Sequence, residues 1–205
     1  LQRGIPFIYQ GQEIGMTNVK FSEIDDYQDL ATHGLYQEAL KAGYDHDQIM
    51  KIIWRRSRDN SRTPMQWSAE NNAGFSEAEP WLKLNPNFDQ INVEENLKDY
   101  NSVFYFYHEL IKLRKNSPYQ KIIVDGKYQP LLKSDTDLIA YLREKDGEKL
   151  LLVANFKNKK VDLDLDYQVQ EIILSNYPEY DYRTLKNKEI AYQLSPFETI
   201  LFKVK

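Results

Sequence analysis

Arg58-Asp59-Asn60-Ser61-Arg62-Thr63-Pro64-Met65-Gln66-Trp67 holds the densest chemistry in the chain: two arginines four apart, an Asp-Asn pair between them, then a proline and an indole. A guanidinium can fork two parallel N–H bonds onto adjacent hydroxyls, and a neighbouring carboxylate steadies that fork and balances its charge. Such a set suits a sugar. The same Arg-Asp pairs would also serve simply to fasten a long loop, because most charged pairs only organise surfaces.

A second group precedes it. Gly4-Ile5-Pro6-Phe7-Ile8-Tyr9 is a short apolar, partly β-branched run that reads as a buried strand. Gln10-Gly11-Gln12-Glu13-Ile14-Gly15 follows at once, with glycines where the backbone must turn. Parallel α/β folds present functional residues in this way, at the carboxyl ends of their strands. Glu13 could be catalytic by that placement, but the reading adopted is an acceptor that ties its loop together. Metal chemistry finds no footing: His33, His46 and His108 are far apart and show no ligand spacing, so neither a metal site nor a cofactor is expected.

Composition narrows the partner. Hydrophobic residues make up 41% and charged residues 28%, enough for a buried core and too ordered a mixture for a disordered chain. The net charge of −4, with both signs interspersed, leaves no basic stripe for nucleic acid or an anionic membrane, so a neutral partner is expected. No apolar run approaches the ~20 residues of a membrane span, and Leu1–Tyr9 is too short and interrupted for a signal peptide. The absence of cysteine fits a reducing cytoplasm. Because the first residue is Leu1, the chain is expected to be a piece of a longer one.

These groups need elements to position them. Polar and acidic residues from Val19 to Gly43 read as a long loop with a helical insert near Leu35–Ala42. Asp45 or Asp47 can cap the next helix, on which Ile49, Met50, Ile53 and Trp54 recur at helical spacing, with Arg55 and Arg56 at its carboxyl end. Pro64 stops the helix, so Arg58–Trp67 is a loop aimed by the helix before it. Residues 71–101 show no sustained period and read as another long ordered loop. Asn101 or Ser102 then caps a helix with Val103, Phe106, Tyr107, Leu110 and Leu113 along one face. Beyond Pro118 the grammar becomes β: a hairpin of Ile122–Val124 with Tyr128–Leu132 about Asp125-Gly126, a second of Leu138–Arg143 with Leu150–Phe156 about Asp146-Gly147, then short strands at Val161–Leu165, Ile172–Leu174, Ile190–Gln193 and Thr199–Val204. The whole reads as α/β plus all-β, with domains 1–117 and 118–205 and the second a small antiparallel β-sandwich.

The ordered set Gly4-x-Pro6-x-x-Tyr9-x-Gly11-x-Glu13-x-Gly15, then Arg58–Trp67, then a β domain behind a helix resembles the carboxyl-terminal part of the alpha-amylase family of glycoside hydrolases. Gly15-Met16-Thr17-Asn18, Ala73-Gly74-Phe75, Pro80-Trp81 and Ile91-Asn92-Val93-Glu94 make it similar to the oligo-1,6-glucosidase branch, which also holds dextran glucosidases, trehalose-6-phosphate hydrolases and sucrose isomerases. The resemblance implies that Pro6–Tyr9 is the eighth strand of a (β/α)8 barrel, Ser102–Lys115 its last helix, and residues 118–205 the C-terminal β domain. A whole barrel takes ~250 residues, so the first seven strands, with the catalytic carboxylates of a retaining mechanism, would lie upstream; none of the carboxylates here is assigned as catalytic.

The resemblance further implies that Arg58 binds the non-reducing-end hydroxyls of the glucose in the cleaved subsite, partnered by an Asp of the upstream part. Arg62 would brace the loop with Asp59, and Trp67 would belong to the core. The expected function is an exo-acting retaining α-glucosidase acting on α-1,6 and also α-1,4 bonds of short gluco-oligosaccharides or disaccharides, with the upstream barrel as structural partner. Trehalose-6-phosphate hydrolase and sucrose isomerase are the enzymatic alternatives. A catalytically inactive relative and a carbohydrate-binding module are the others, the module disfavoured by the lack of clustered Trp after residue 118.

Overall fold

The computed structural model describes every residue but Pro178, and every side chain but those of Pro178 and Arg183. It divides into two compact units, Phe7–Tyr105 on one hand and Leu1–Pro6 with Phe106–Lys205 on the other.

The unit Phe7–Tyr105 is built on α1 (Leu30–Lys41) and α2 (His46–Arg56). Asp45 starts α2 through a reciprocal cap: its Oδ1 accepts from Gln48 N at 2.8 Å while Gln48 Oε1 accepts from Asp45 N at 3.2 Å. The helical spacing then turns Ile49, Met50 and Ile53 inward, where they are buried with Val19, Phe21, Tyr27 and Leu82. The indole of Trp54 donates to Phe21 O at 2.8 Å, so the helix also anchors the loop before α1.

The long connection after α2 is ordered by amide side chains. Gln66 is fully buried and its Nε2 donates to Ile91 O at 2.5 Å and Asn87 Oδ1 at 3.3 Å. Asn92 caps α3 (Val93–Lys98), accepting from Glu95 N at 2.8 Å. The next helix is α4 (Val103–Lys115). Asn96 accepts from Phe104 N at 3.3 Å, and Ser102 Oγ donates to Asn96 O at 2.8 Å.

In the other unit the first expected hairpin is replaced. Gln120–Asp125 is a helix, α5, rather than a strand at Ile122–Val124. Ser117 explains why: its Oγ accepts from Tyr119 N and its carbonyl from Gln120 N, both at 3.1 Å, which winds the chain before the β-branched run begins. Gly126 N closes the turn on Ile122 O at 3.0 Å, and a Cβ at Gly126 would lie 2.3 Å from that oxygen, so only glycine fits.

Six strands follow: β1 (Lys127–Leu131), β2 (Leu138–Lys145), β3 (Glu148–Asn155), β4 (Val161–Ser175), β5 (Glu189–Leu194) and β6 (Thr199–Val204). All pairings are antiparallel, in the order β1-β2-β3-β6-β4-β5. Asp146 and Gly147 join β2 to β3 with φ of 52° and 81°, the left-handed pair that a two-residue hairpin needs. The two short strands expected at Val161–Leu165 and Ile172–Leu174 are one 15-residue strand. Its first part pairs with β5 and its second with β6, across register shifts.

Period-2 alternation fills the core. Leu138, Ala140 and Leu142 of β2, Leu151 and Val153 of β3, and Ile200, Phe202 and Val204 of β6 share one face. Leu163, Ile190 and Leu194 close over that face from the β4–β5 arm, giving the small sandwich. Leu150 and Leu201, on the opposite face, pack under Ile122 and Ile123 of α5. Burying an isolated charge is costly, and among the described residues of this unit the buried Glu198 and Arg143 both draw on nearby polar groups. Glu198 accepts from Ser195 N at 2.6 Å, Tyr182 Oη at 2.7 Å and Tyr192 Oη at 3.0 Å. Arg143 donates to Gly126 O at 2.9 Å, Leu1 O at 3.1 Å and Val124 O at 3.3 Å, beside the negative end of α5, while its Nε is buried with no hydrogen-bond partner.

Gly4–Tyr9 departs from its expected burial. It has no ladder partner among the described residues, and Ile5, Phe7 and Tyr9 are exposed by 77%, 91% and 55%. A barrel strand takes its burial from strands on both sides, and none is described beside it. Among the described residues no helix is long and apolar enough to cross a membrane.

Candidate functional site

The site lies within the unit Phe7–Tyr105. Gly11 turns the chain with φ 85°, and a Cβ there would fall 2.4 Å from Met16 Sδ. Glycine therefore lets Gln10–Asn18 fold back on itself, with Met16 N donating to Gly11 O at 2.9 Å. Gln12 ties this loop, its Oε1 accepting from Tyr9 N at 3.0 Å, and Glu13 Oε2 beside it is buried with no hydrogen-bond partner.

This loop meets the arginine motif. Tyr9 Oη donates to Ser61 O at 2.8 Å, and Asn60 Oδ1 accepts from Val19 N at 3.2 Å. Asn60 and Asn18 both donate to Trp54 O, at 3.1 and 3.0 Å, so the free carbonyl near the end of α2 holds both segments. Between them is a cavity of about 120 Å³ that Tyr9, Gln10, Thr17, Asn60 and Ser61 help to line.

Arg58 opens a 3-10 turn, Arg58–Ser61, directly after α2. Ser57 Oγ accepts from Asp59 N at 3.2 Å and starts that turn. One edge of the Arg58 guanidinium rests on Asp29: Nε lies 3.1 and 3.2 Å from its two oxygens and Nη2 2.5 Å from Oδ1. The Asp29 side chain is 4% exposed and the Arg58 side chain 61%. A carboxylate thus holds the inner edge of the fork while the outer edge faces out. Asp59 is fully buried beneath them, accepting from Gln28 N at 2.7 Å and Asp29 N at 2.9 Å. Arg62 Nη1 sits 3.4 Å from Asp59 and 3.8 Å from Asp29. Thr32 Oγ1 lies 3.0 Å from both Asp29 Oδ2 and Ser57 Oγ, which joins the start of α1 to the network.

Arg58, followed by the burial that opposes it and by Thr32, holds the Asp29 carboxyl well below its ordinary value of 3.8, at about 2. A lowered folded-state pKa contributes stability that is complete above the unfolded value and lost as the pH falls through the folded one. From about pH 4 down to about pH 2, the intact protein is expected to lose about 1–2 kcal/mol more stability than its Asp29→Asn variant, the exposed Arg58 partner reducing the figure. Denaturant titrations across that range check it, and parallel curves for the two proteins would refute it.

Trp67 is not core: its side chain is 51% exposed. Thr63, Met65 and Gln66 turn inward just before it, and its backbone is pinned by Trp67 N to Ala73 O at 2.8 Å and Glu94 N to Trp67 O at 3.0 Å, leaving the indole outside. Asp29 is the residue that sequence reasoning missed. It sits in a run with Asp25 and Asp26, and only a threonine three residues on, the usual spacing of a helix start, sets it apart. Among the described residues no group of three or more His, Asp or Glu could hold a metal ion.

A family model described as the alpha-amylase catalytic domain matches residues 1–126, and one described as the alpha-amylase SusG C-terminal domain matches residues 138–201. The oligo-1,6-glucosidase of Bacillus cereus is 40% identical over 100% of the chain and 36% of its own length. The trehalose-6-phosphate hydrolase of Escherichia coli is 42% identical over 97% of the chain and 35% of its own. The crystal structure of Bacillus licheniformis trehalose-6-phosphate hydrolase superposes with a TM-score of 0.89 at 37% identity, covering 98% of the chain and 36% of that structure. The chain thus spans about a third of the length of the relatives it matches.

Proposed function

We propose, from the premise that this chain belongs to the alpha-amylase family of glycoside hydrolases, that it is the carboxyl-terminal part of an exo-acting α-glucosidase that cleaves α-1,6 bonds of short gluco-oligosaccharides. Residues 1–117 would complete the catalytic barrel, and residues 118–205 would form the β domain behind it. The nucleophile and the acid/base would come from the rest of the barrel, at the separation of ~5 Å that lets a covalent glycosyl intermediate form and hydrolyse with retention. The exposed Ile5 and Phe7 support a barrel partner, since large apolar side chains bare to this degree suit a covering surface. A cytoplasmic location belongs to the same proposal and rests on the lack of cysteine.

The observation that carries this reading is Arg58, held by Asp29 on one edge and open on the other. A guanidinium presented in this way can donate to two adjacent hydroxyls at a glucose end. A ring whose terminal hydroxyls are gripped leaves no room for a further sugar there, which is the basis of exo action. Arg58→Ala in the intact enzyme is expected to lower kcat/KM by about 2 kcal/mol, roughly thirtyfold, or more. Unchanged kinetics would overturn the assignment.

A second reading, trehalose-6-phosphate hydrolase, is favoured by the relative at 42% identity and by the superposition at a TM-score of 0.89. Both activities need the same grip on an unsubstituted glucose and differ in the group beyond the bond. Parallel assays of the intact enzyme on isomaltose, trehalose 6-phosphate and sucrose separate these readings and the sucrose isomerase one.

A further inference from the structure

We infer that Asp29 is a positioning residue for the sugar grip: it fixes the plane and the rotamer of Arg58, and Asp59 in turn fixes Asp29. The inference rests on the reading of Arg58 given above. Arginine has five N–H bonds in a rigid fork, and Asp29 takes Nε–H and one from Nη2. Three donors are left over, and two of them, one on Nη1 and the second on Nη2, lie along the terminal edge. An arginine with 61% of its side chain exposed would otherwise sample many rotamers, and only a few would aim that edge at a substrate.

Asp29 is itself immobilised from behind. Its backbone N–H is bound at 2.9 Å by the fully buried Asp59, and its Oδ2 accepts from Thr32 at 3.0 Å. The restraint therefore runs from the buried carboxylate, through the backbone at the start of α1, to an exposed guanidinium. Charge fits the same use. Asp29, Asp59, Arg58 and Arg62 sum to no formal charge, so the exposed fork is a directional donor to neutral hydroxyls rather than an anion trap. The ligand class is an uncharged glycosyl end.

The test is a double-mutant cycle in the intact enzyme, with isomaltose, trehalose 6-phosphate and sucrose tried first to find the substrate. Asp29→Asn is expected to lower kcat/KM at least tenfold, and adding it to Arg58→Ala is expected to cost no more than a further twofold. Free guanidinium ion should partly rescue Arg58→Ala while Asp29 is present and fail to do so in the Arg58→Ala, Asp29→Asn double variant. A merely structural aspartate would give losses that multiply and would leave rescue unaltered. That result, or an Asp29→Asn enzyme within twofold of wild type, overturns the inference. Should Asp29→Asn not fold, Asp29→Glu takes its place, with a raised KM and intact unfolding midpoint expected and wild-type KM overturning. If Arg58→Ala is itself silent, the sugar-grip reading falls first; if Arg58→Ala is impaired while Asp29→Asn is not, this inference falls alone.

Discussion

Purified by itself, the 205-residue chain is expected to release no p-nitrophenol from p-nitrophenyl α-glucoside above the buffer rate. The step needs a proton donor and a nucleophile flanking one bond. Three carboxylates bear on the site, and none can take either part. Asp29, at about 2, is ionised near neutrality and cannot deliver a proton, and both its oxygens are engaged by Arg58. Asp59 is fully buried and committed to two backbone N–H groups, so it cannot reach a sugar carbon. Glu13 has one oxygen, Oε2, buried with no hydrogen-bond partner, and so lacks a group to hold it against a sugar. Since glycosidase-type accelerations run to ~10⁶-fold or far beyond, the contrast with the intact enzyme is large. Turnover by the pure chain that survives repurification would sink the argument, and a carboxylate pair would then have to be sought within these residues.

The largest single effect on stability is expected at Asp59. Asp59→Ala removes the acceptor for the part-buried Gln28 N and the buried Asp29 N, and leaves Arg62, itself 41% exposed, without its nearest anion. An orphaned buried donor costs ~1–3 kcal/mol and a part-buried one less, so a loss of about 2 kcal/mol or more is expected from denaturant unfolding of the intact enzyme. Asp59→Asn should recover only part of it, because its amide oxygen can stand in for Oδ2, which takes both backbone N–H groups, while its NH2 group would replace the Oδ1 that faces Arg62. A variant within about 0.5 kcal/mol of wild type would show that the turn at Arg58–Ser61 is held by Ser57 and Asn60 instead.

Sequence reasoning reached the parts of the chain where one residue and its near neighbours decide the outcome. Asp45 with Gln48 announces a helix start, Asp146-Gly147 announces a hairpin, and the alternation of Leu138, Ala140 and Leu142 announces a one-sided strand. It did not reach outcomes decided by distant partners. Ile122-Ile123-Val124 has strand composition and is too short to show a helical period, and what winds it is the hydroxyl of Ser117 and the bare Cα of Gly126. Locally only Thr32 distinguishes Asp29 from Asp25 or Asp26, and that marks a helix start; its value at the site comes from Arg58, 29 residues away. Trp67 and Ile5 lie exposed for a related reason, since an apolar side chain is buried only where another surface covers it. At the site, the motif from Arg58 to Arg62 was evident in the sequence, while the aspartate that aims it was not.

The strand order carries a consequence for how the β domain is made. β6 is the last of the six strands in sequence, yet it lies between β3 and β4. Until Thr199–Val204 emerges, the β1-β2-β3 meander and the β4–β5 arm have no ladder in common, and each presents a raw hydrogen-bonding edge. During synthesis the domain is therefore expected to stay as two unsealed halves until one late insertion both joins them and delivers Ile200, Phe202 and Val204 to the interior. A lesion in those six residues would strike assembly of the whole domain at once, where a lesion of equal size in β1, at the margin, would be borne by one edge.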